Sequence, residues 1–238
     1  MDRTRAFATG TAPTTGIALP RQPSARADGR RAGSPAPVVR DLRDRAGRSP
    51  RALLFGPRDV VVVTGLPGGG KSTLMRRAVA GRRVDSQDTR DRFAARLPRG
   101  LPYALYRPLV RVAHYAALRQ ALRGGEGVVV HDCGTQAWVR AWLSRAARRR
   151  GGTLHLLLLD VPPETARAGQ RDRGRRVSPY AFARHRRTTA RLLGAVEQGR
   201  LPAGCDSALL LDRAAAGTLE RIGFADPADG WLFCPGRL

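Results

Sequence analysis

The sequence has almost no lysine: of its 43 basic residues, 42 are arginine and one, Lys71, is lysine. Arginine carries a planar, rigid guanidinium, whereas lysine carries a compact charge on a flexible stem. A surface that works through charge alone accepts either residue, so the near-total replacement of lysine indicates a coding bias. A single lysine kept against that bias indicates a position whose chemistry arginine does not supply.

The chain also has few cysteines and aromatic residues, and it lacks a long apolar run. The three cysteines share no short spacing, which excludes a disulfide framework and gives no zinc pattern. Aromatic residues are 5% of the chain, so the core must consist mainly of leucine, valine and alanine. The longest apolar run, near Leu154–Leu159, is far shorter than the roughly 20 residues of a membrane helix. No signal-peptide pattern opens the chain, and the predicted location is cytoplasmic.

Acidic residues are scarce as well, since 19 of them stand against 43 basic ones. The net charge is therefore +24 and the isoelectric point is about 11.7. Such a charge permits binding to nucleic acid or another polyanion by electrostatics alone. The coding bias explains the same charge without any partner, so charge alone leaves nucleic-acid binding open.

Composition divides the chain into three predicted parts. Residues 1–50 are rich in arginine, alanine, proline and glycine without apolar periodicity, which predicts a disordered basic arm. Residues 51–225 carry the apolar segments of a folded domain, and residues 226–238 form a C-terminal tail. A basic anchor for nucleic acid and a misassigned start codon both remain open as explanations of the arm.

Short apolar runs alternate with helix-like segments from residue 59 onward. This alternation predicts an α/β fold with a five-stranded parallel sheet. Prolines and glycines between residues 98 and 108 predict a broken loop that carries Tyr103 and Tyr106, followed by a helix over about 109–123. A final helix is predicted over 214–222. The predicted strands are 59–64, 83–85, 127–131, 153–159 and 208–211.

One segment matches a complete phosphate-binding loop, G-x-x-x-x-G-K-[ST], between an apolar strand and a predicted helix, as the motif requires. Its glycines let the backbone fold into a cradle, whose amides bind phosphate together with the helix N-terminus. The motif places the only lysine near the β- and γ-phosphates and a serine beside Mg²⁺. The predicted nucleotide-binding residues are Gly65, Leu66, Pro67, Gly68, Gly69, Gly70, Lys71, Ser72 and Thr73.

Over about residues 59–193 the chain resembles the P-loop kinases of the adenylate-kinase-like, zeta-toxin and polynucleotide-kinase type. Within that group it is similar to small bacterial AAA-like ATP-binding proteins, often from actinobacteria. The strongest element of the resemblance is the Walker A loop, written G-L-P-G-G-G-K-S-T. Weaker elements are the acidic segment 85–90, the strand 128–132 and the arginine-dense segment 171–176. The resemblance implies a three-layer P-loop NTPase fold with a small Arg-rich lid.

The resemblance also implies an aspartate at the end of the second strand that acts on the acceptor hydroxyl. Asp85 and Asp88 both lie where this carboxylate is expected, although neither has the usual spacing to Arg90. Both also fit a structural role, since Asp85 can cap the following helix and Asp88 lies in its first turn. The choice stays open, with Asp85 favoured for its place at the strand end and Arg90 as a candidate contact of the acceptor.

Two further groups of site residues are implied by the resemblance. Asp132 ends an apolar strand, as a Walker B acid does, and would hold Mg²⁺ through water together with the loop serine. Arg171 and Arg173 lie where related kinases carry a mobile lid, whose arginines neutralise the transferring phosphoryl group. Asp160, after the next strand, better fits a turn, and His131 better fits a structural role.

These patterns predict an ATP-dependent kinase that transfers the γ-phosphate to a small-molecule or nucleic-acid hydroxyl, with ATP and Mg²⁺ as ligands. One alternative is an ATP-binding or ATP-hydrolysing regulatory or toxin-like protein without a small acceptor. Another is a polynucleotide-type kinase that its basic arm tethers to nucleic acid. The acceptor is not identified by the sequence, and its specificity is expected to lie in residues 96–110.

Overall fold

The computed structural model describes residues 38–45, 48–98, 100–131, 136–172 and 178–224. Helices alternate with strands along most of this part, which confirms the predicted α/β class. Within these ranges, every helix is too short or too polar to cross a bilayer. The strands are β1 (Val38–Asp41), β2 (Ala52–Phe55), β3 (Val60–Gly65), β4 (Arg83–Val84), β5 (Val128–His131), β6 (Leu154–Leu159), β7 (Ser207–Leu211) and β8 (Arg221–Phe224). The helices are α1 (Lys71–Ala78), α2 (Ser86–Arg96), α3 (Tyr103–Arg123), α4 (Ala137–Arg149), α5 (Pro163–Arg171), α6 (Pro179–Glu197) and α7 (Arg213–Thr218).

The main sheet is parallel and has six strands rather than the predicted five, in the order β1-β7-β6-β3-β5-β4. The extra strand is β1, which pairs with β7 on the edge of the sheet. The sequence predicts this segment as part of the disordered arm, because its two valines are surrounded by prolines and arginines. The pairing of Val38–Asp41 corrects the predicted end of the arm, while residues 1–37 and 225–238 lie outside the described residues.

A second, two-stranded parallel sheet joins β2 to β8, from the pair Ala52 and Arg221 to the pair Phe55 and Phe224. The predicted helix over 214–222 is wrong in its second half, since α7 ends before β8 begins. The reason is tertiary, because Ile222 is fully buried and its strand partner comes from far earlier in the chain.

The hydrophobic core lies on both faces of the main sheet. In β3, Val61 and Val63 pack on the face covered by α1, α7 and the small sheet. Val60 and Val62 pack on the face covered by α3, α4 and α6. All four valines are fully buried, which is why this parallel strand reads as a continuous apolar run. The resulting three layers hold the carboxyl end of β3, from which the phosphate-binding loop starts.

Helix α3 begins at Tyr103, inside the segment that the prolines and glycines predict as a loop. Pro102 occupies its N-cap position, and Pro108 lies within the helix, where it removes one backbone donor. The helix forms because Tyr106 and Val110 are buried against the rest of the domain. The expected acceptor loop is therefore, from Tyr103 onward, a helical wall.

A buried polar cluster connects the amino ends of β3, β6 and β7. Asp59 Oδ2 accepts a hydrogen bond from His155 Nε2 at 2.9 Å, and His155 Nδ1 lies 2.7 Å from Ser207 Oγ. Asp59 also accepts from the backbone N–H groups of Gly56 and Thr153. This Ser-His-Asp set is buried at the sheet edge opposite the phosphate-binding loop, so its role is structural.

Replacing Asp59 by asparagine is expected to lower the free energy of unfolding by about 2 kcal/mol at neutral pH. Burial raises the pKa of this carboxyl, but His155 and the backbone N–H groups outweigh that effect and hold the pKa below its ordinary value of 3.8. Because the folded-state pKa is depressed, the stabilisation is complete above about pH 4 and is lost as the pH falls through the folded pKa.

Urea unfolding at neutral pH and at about pH 3 measures this contribution. The wild-type protein is expected to lose more stability on acidification than the Asp59→Asn variant. Equal losses in the two proteins would show that Asp59 is not the titrating group.

Candidate active site

The phosphate-binding loop connects the carboxyl end of β3 to α1. Gly70 is the N-cap of α1, with a φ angle of 94°, and no described side chain caps this helix. Glycine has no side chain with which to cap the helix, and the helix dipole favours negative charge at this end. The loop has the local geometry of an anion-binding cradle.

Two glycines of the loop have positive φ angles and lie against the backbone of neighbouring elements. A Cβ atom on Gly65 (φ 141°) would lie 2.5 Å from the carbonyl oxygen of Leu159. A Cβ atom on Gly68 (φ 87°) would clash with the carbonyl oxygen of Ala166. Only glycine combines this backbone conformation with such a close approach. The loop is therefore pressed onto β6 and α5, which limits its movement.

Lys71 is the first residue of α1, and only 6% of it is exposed. Its Nζ donates hydrogen bonds to the carbonyl oxygens of Gly65 and Leu66, at 3.0 and 2.7 Å. These bonds hold the ammonium group against the loop, where the motif expects the phosphates of a nucleotide. A compact ammonium on a flexible stem reaches both oxygens at once.

Asp85 is the N-cap of α2 and is almost completely buried. Its Oδ1 accepts hydrogen bonds from the Gln87 backbone N–H at 2.9 Å and from His131 Nδ1 at 2.7 Å. Burial raises the pKa of this carboxyl, but His131, the Gln87 N–H and the nearby Ser72 hydroxyl hold it well below its usual range. Its Oδ2 is buried without a hydrogen-bond partner among the described residues. A charged, buried oxygen without a partner calls for a specific explanation, such as a bound ion or a water molecule.

His131 ends β5 and meets Asp85 across 46 residues of sequence. Its Nδ1 also lies 3.0 Å from Ser86 Oγ. Because a carboxylate only accepts hydrogen bonds, Nδ1 carries the proton, and in the neutral ring Nε2 keeps a free lone pair. A structural role is expected for this histidine, and the structure also places it in the wall of a cleft.

Two cavities border the loop, and a third borders the second of them. The first, called here the nucleoside cavity, has a volume of about 370 Å³ and lies between the loop, α5 and α7. The second, called the transfer cavity, has a volume of about 220 Å³ and lies between the loop, α2 and α6. The third, called the arginine cavity, has a volume of about 280 Å³ and lies between α2, α3 and α6.

The transfer cavity and the arginine cavity form one cleft, because they share part of their walls. Lys71 and Ser72 line the transfer cavity only. The shared lining residues are Ser86, Gln87, Arg90, His131 and His185. The phosphate-binding loop thus opens into a second space of similar size.

Magnesium is the metal ion that the family resemblance implies. The described residues contain no group of three or more His, Cys, Asp or Glu side chains that could hold a metal ion. They do contain the Ser72 hydroxyl and the unpartnered Oδ2 of Asp85, and such oxygen atoms suit Mg²⁺, which keeps several waters. These two side chains fit the ion. Asp132, the predicted Walker B acid, lies outside the described residues.

The two candidates for the acceptor-side carboxylate differ in their surroundings. Asp85 lies behind the wall of the cleft, bonded to His131. Asp88 instead forms an ion pair with Arg83 at 3.5 Å, and neither carboxylate lines any of the three cavities. Asp85, unlike Asp88, is thus bonded to a residue that lines the cleft, and the choice between the two carboxylates stays a prediction.

The predicted lid residues do not meet at the cleft in the described part of the chain. Arg171 is the exposed last residue of α5 and lines none of the three cavities. Arg173 lies outside the described residues, so its role stays a prediction. Asp160 accepts a hydrogen bond from Arg43 at 2.7 Å, which agrees with a structural role for this carboxylate.

Two polar residues of the site carry no signal in the sequence motifs. Gln170 of α5 donates a hydrogen bond from Nε2 to the Pro67 carbonyl oxygen at 2.8 Å and connects the loop to that helix. His185 of α6 lines both cavities of the cleft. For His185 the one available signal in the sequence was the rarity of histidine, since the chain has four histidines. Three of them line the arginine cavity: His114, His131 and His185.

Several solved structures are similar to this chain. The tunicamycin resistance protein of Deinococcus radiodurans is 17% identical, with a TM-score of 0.40, over 68% of this chain and 89% of that one. Shikimate kinase from Acinetobacter baumannii, in complex with shikimate, is 16% identical, with a TM-score of 0.43, over 68% and 87%. A gluconokinase from Sinorhizobium meliloti 1021 is 17% identical, with a TM-score of 0.39, over 68% and 92%. These TM-scores are below 0.5 and decide nothing about activity.

No curated protein sequence matches the chain. A family model described as an AAA domain matches residues 60–197, which is more than half of the chain. The matched part begins with β3, contains the whole phosphate-binding loop and ends with α6. With its parallel sheet and its loop, the protein has a kinase-like P-loop fold, which is a nucleotide-binding fold of phosphotransferases and ATPases. The chain belongs to the AAA domain family.

Proposed function

We propose that the protein is an ATP-dependent phosphotransferase that moves the γ-phosphoryl group of ATP to a hydroxyl of a small molecule. The cleft beside the loop carries this proposal, because the transfer cavity contains Lys71 and Ser72 and opens into the arginine cavity. A protein that only binds or hydrolyses ATP needs no second cavity next to the phosphates. An acceptor needs one, and a concave site of this kind suits a small molecule.

The loop and the nucleoside cavity form the nucleotide side of the proposed site. The loop amides and the N-terminus of α1 would bind the phosphates. Lys71 would add a positive charge where negative charge develops on the transferring group. The nucleoside cavity, of about 370 Å³, would accommodate base and ribose, with Thr73 and Arg213 among its polar contacts.

Ser72 and Asp85 would hold Mg²⁺, which neutralises phosphate charge when it is bound. Asp85 keeps its negative charge for this role because its pKa lies well below the usual range. His131 and the Gln87 N–H hold the Oδ1 atom of the same carboxylate, so Oδ2 has a defined direction.

His131 is the residue that we assign to the acceptor hydroxyl. Since its Nδ1 is bonded to Asp85, Nε2 would accept the hydrogen bond of the hydroxyl and take its proton. The hydroxyl oxygen then forms the new bond to the γ-phosphorus, and the bond to ADP breaks. Gln87 and Arg90 line the same cavity and would orient the acceptor for in-line attack.

A phosphorylated small molecule whose formation depends on Lys71 is the expected product. Wild-type protein and the Lys71→Ala variant are incubated with ATP labelled at the γ-phosphate, in parallel with a small-molecule cell extract and with 5′-hydroxyl oligonucleotides. We expect label in a small-molecule product, and at least about 100-fold less of it with the variant. Mass spectrometry identifies the product, and thermal unfolding of both proteins controls for folding.

Two outcomes would count against a small acceptor. Label in the oligonucleotides alone would indicate a polynucleotide-type kinase. Slow hydrolysis of ATP without any labelled product would indicate a regulatory or toxin-like protein.

A further inference from the structure

The arginine cavity is lined by four arginines from three helices. Arg90 comes from α2, Arg107 and Arg111 from α3, and Arg184 from α6. No acidic residue is among its described lining residues. The cavity therefore concentrates positive charge at the end of the cleft away from the loop.

These four arginines have no acidic partner in the part of the chain that the structure describes. Other arginines do: Arg43 forms ion pairs with Asp41, Asp160 and Glu197. The nucleoside cavity likewise combines its arginines with Asp172. A coding bias toward arginine does not by itself explain four guanidinium groups around one cavity whose described lining contains no carboxylate. Arg107, Arg111 and Arg184 are exposed, so water screens their mutual repulsion, and a bound anion would relieve what remains.

Arg90 is held in place before any ligand binds. Its guanidinium carbon lies 4.0 Å from the centroid of the Tyr103 ring. That ring meets the ring of buried Tyr106 edge-on, with 5.3 Å between the centroids. Stacking on an anchored ring limits the conformations of the arginine, so it loses less entropy when it binds a carboxylate or phosphate.

Two histidines supply neutral polar groups beside these charges. Burial lowers the pKa of His114 to about 4, so this ring is neutral at pH 7. Its Nδ1 is buried and has no hydrogen-bond partner among the described residues. Burial and then the charges of Arg184 and other basic residues lower the pKa of His185. The cavity therefore offers hydrogen-bonding groups for a polar ligand as well as charge for an anionic one.

We propose that the acceptor is a small hydroxylated anion, whose carboxylate or phosphate group binds Arg107, Arg111 and Arg184 while its hydroxyl faces His131. This inference rests on the proposed function, since it names the class of acceptor for the same cleft. Arg90 lines both cavities and would contact the acceptor between its two ends. A volume of about 280 Å³ suits a molecule of the size of a sugar acid or a sugar phosphate.

Anion-exchange fractions of a small-molecule cell extract test the class of the acceptor. The extract is separated at neutral pH into a retained, anionic fraction and an unretained fraction, and each is incubated with the full chain and γ-labelled ATP. We expect labelled product from the retained fraction. Pretreating this fraction with alkaline phosphatase, which is then removed, distinguishes the two anions. A phosphate-bearing acceptor is lost by this treatment, whereas a carboxylate-bearing acceptor is kept.

Arginine variants then test where the anion binds. At a limiting amount of the active fraction, Arg107→Gln and Arg111→Gln are each expected to lower the transfer rate by about 10- to 100-fold. Excess acceptor is expected to restore much of the rate, and the KM for ATP is expected to change by less than about twofold. Arg123→Gln is the matched control, because it removes an exposed arginine of α3 that lies outside the cavity.

The possible results distinguish between three claims: the anionic acceptor, its binding in the arginine cavity and the phosphotransferase function. Product from the unretained fraction alone would overturn the anionic acceptor and leave the phosphotransferase function standing. Product from the retained fraction with unchanged rates in both cavity variants would overturn the assignment to the arginine cavity. Absence of label from both fractions would overturn the proposed function, and the anionic acceptor with it.

Discussion

Lys71→Arg is expected to lower the rate of phosphoryl transfer by about 100- to 1,000-fold, although the substitution preserves the charge. The Lys71 ammonium is almost fully buried and reaches two loop carbonyl oxygens, at 3.0 and 2.7 Å. A guanidinium is wider, and its donors point in fixed directions. The loop has little freedom to adapt to it, because Gly65 and Gly68 are pressed onto the backbone of β6 and α5. Initial rates with γ-labelled ATP measure the transfer.

The reverse exchange on the same helix is the matched control. Arg76 lies on the exposed side of α1, and Arg76→Lys is expected to change the rate by less than about twofold. Thermal unfolding shows whether each variant folds, and calorimetry shows whether it binds ATP. A Lys71→Arg rate within about threefold of the wild-type rate would contradict the requirement for an ammonium group at this position.

Asp85→Asn is expected to lower the transfer rate by about 100-fold. Asparagine caps a helix as well as aspartate does, so the start of α2 is preserved and the lost property is the charge. That charge stabilises the proton on His131 Nδ1, and its unpartnered Oδ2 would contact Mg²⁺. The concentration of Mg²⁺ that gives half the maximal rate is expected to rise as well. Rates measured over a series of Mg²⁺ concentrations test both effects.

Asp88→Asn tests whether the second candidate carboxylate contributes to the transfer. Asp88 forms a partly exposed ion pair with Arg83 at 3.5 Å, and such pairs contribute little to stability. Its replacement is expected to change the transfer rate by less than about threefold. If Asp88→Asn lowers the rate as much as Asp85→Asn does, the assignment to Asp85 is wrong.

The phosphate-binding loop was predictable from the sequence because its function depends on local geometry. Gly65 and Gly68 adopt positive φ angles, and Lys71 bonds to carbonyl groups five and six residues before it. The strands β3 and β6 were predictable for a related reason. A parallel strand that is covered on both faces must be apolar along its whole length, and both strands are buried at every position.

The elements that the sequence predicted wrongly depend on distant parts of the chain. Strand β1 consists of two valines, an arginine and an aspartate, and its pairing partner is β7. The start of α3 contains Pro108 and is helical because Tyr106 and Val110 are buried against other elements. In both places tertiary packing outweighs local preference.

The sequence by itself determined the α/β class, the loop 65–73 and the position of the one lysine. Only the tertiary structure decided that Asp85 meets His131, 46 residues away, whereas Asp88 pairs with Arg83. It also decided that the arginines of α2, α3 and α6 line one cavity. The physical reason is separation along the chain. A motif specifies the backbone of a few successive residues, whereas the parallel sheet brings distant residues together at the carboxyl ends of its strands.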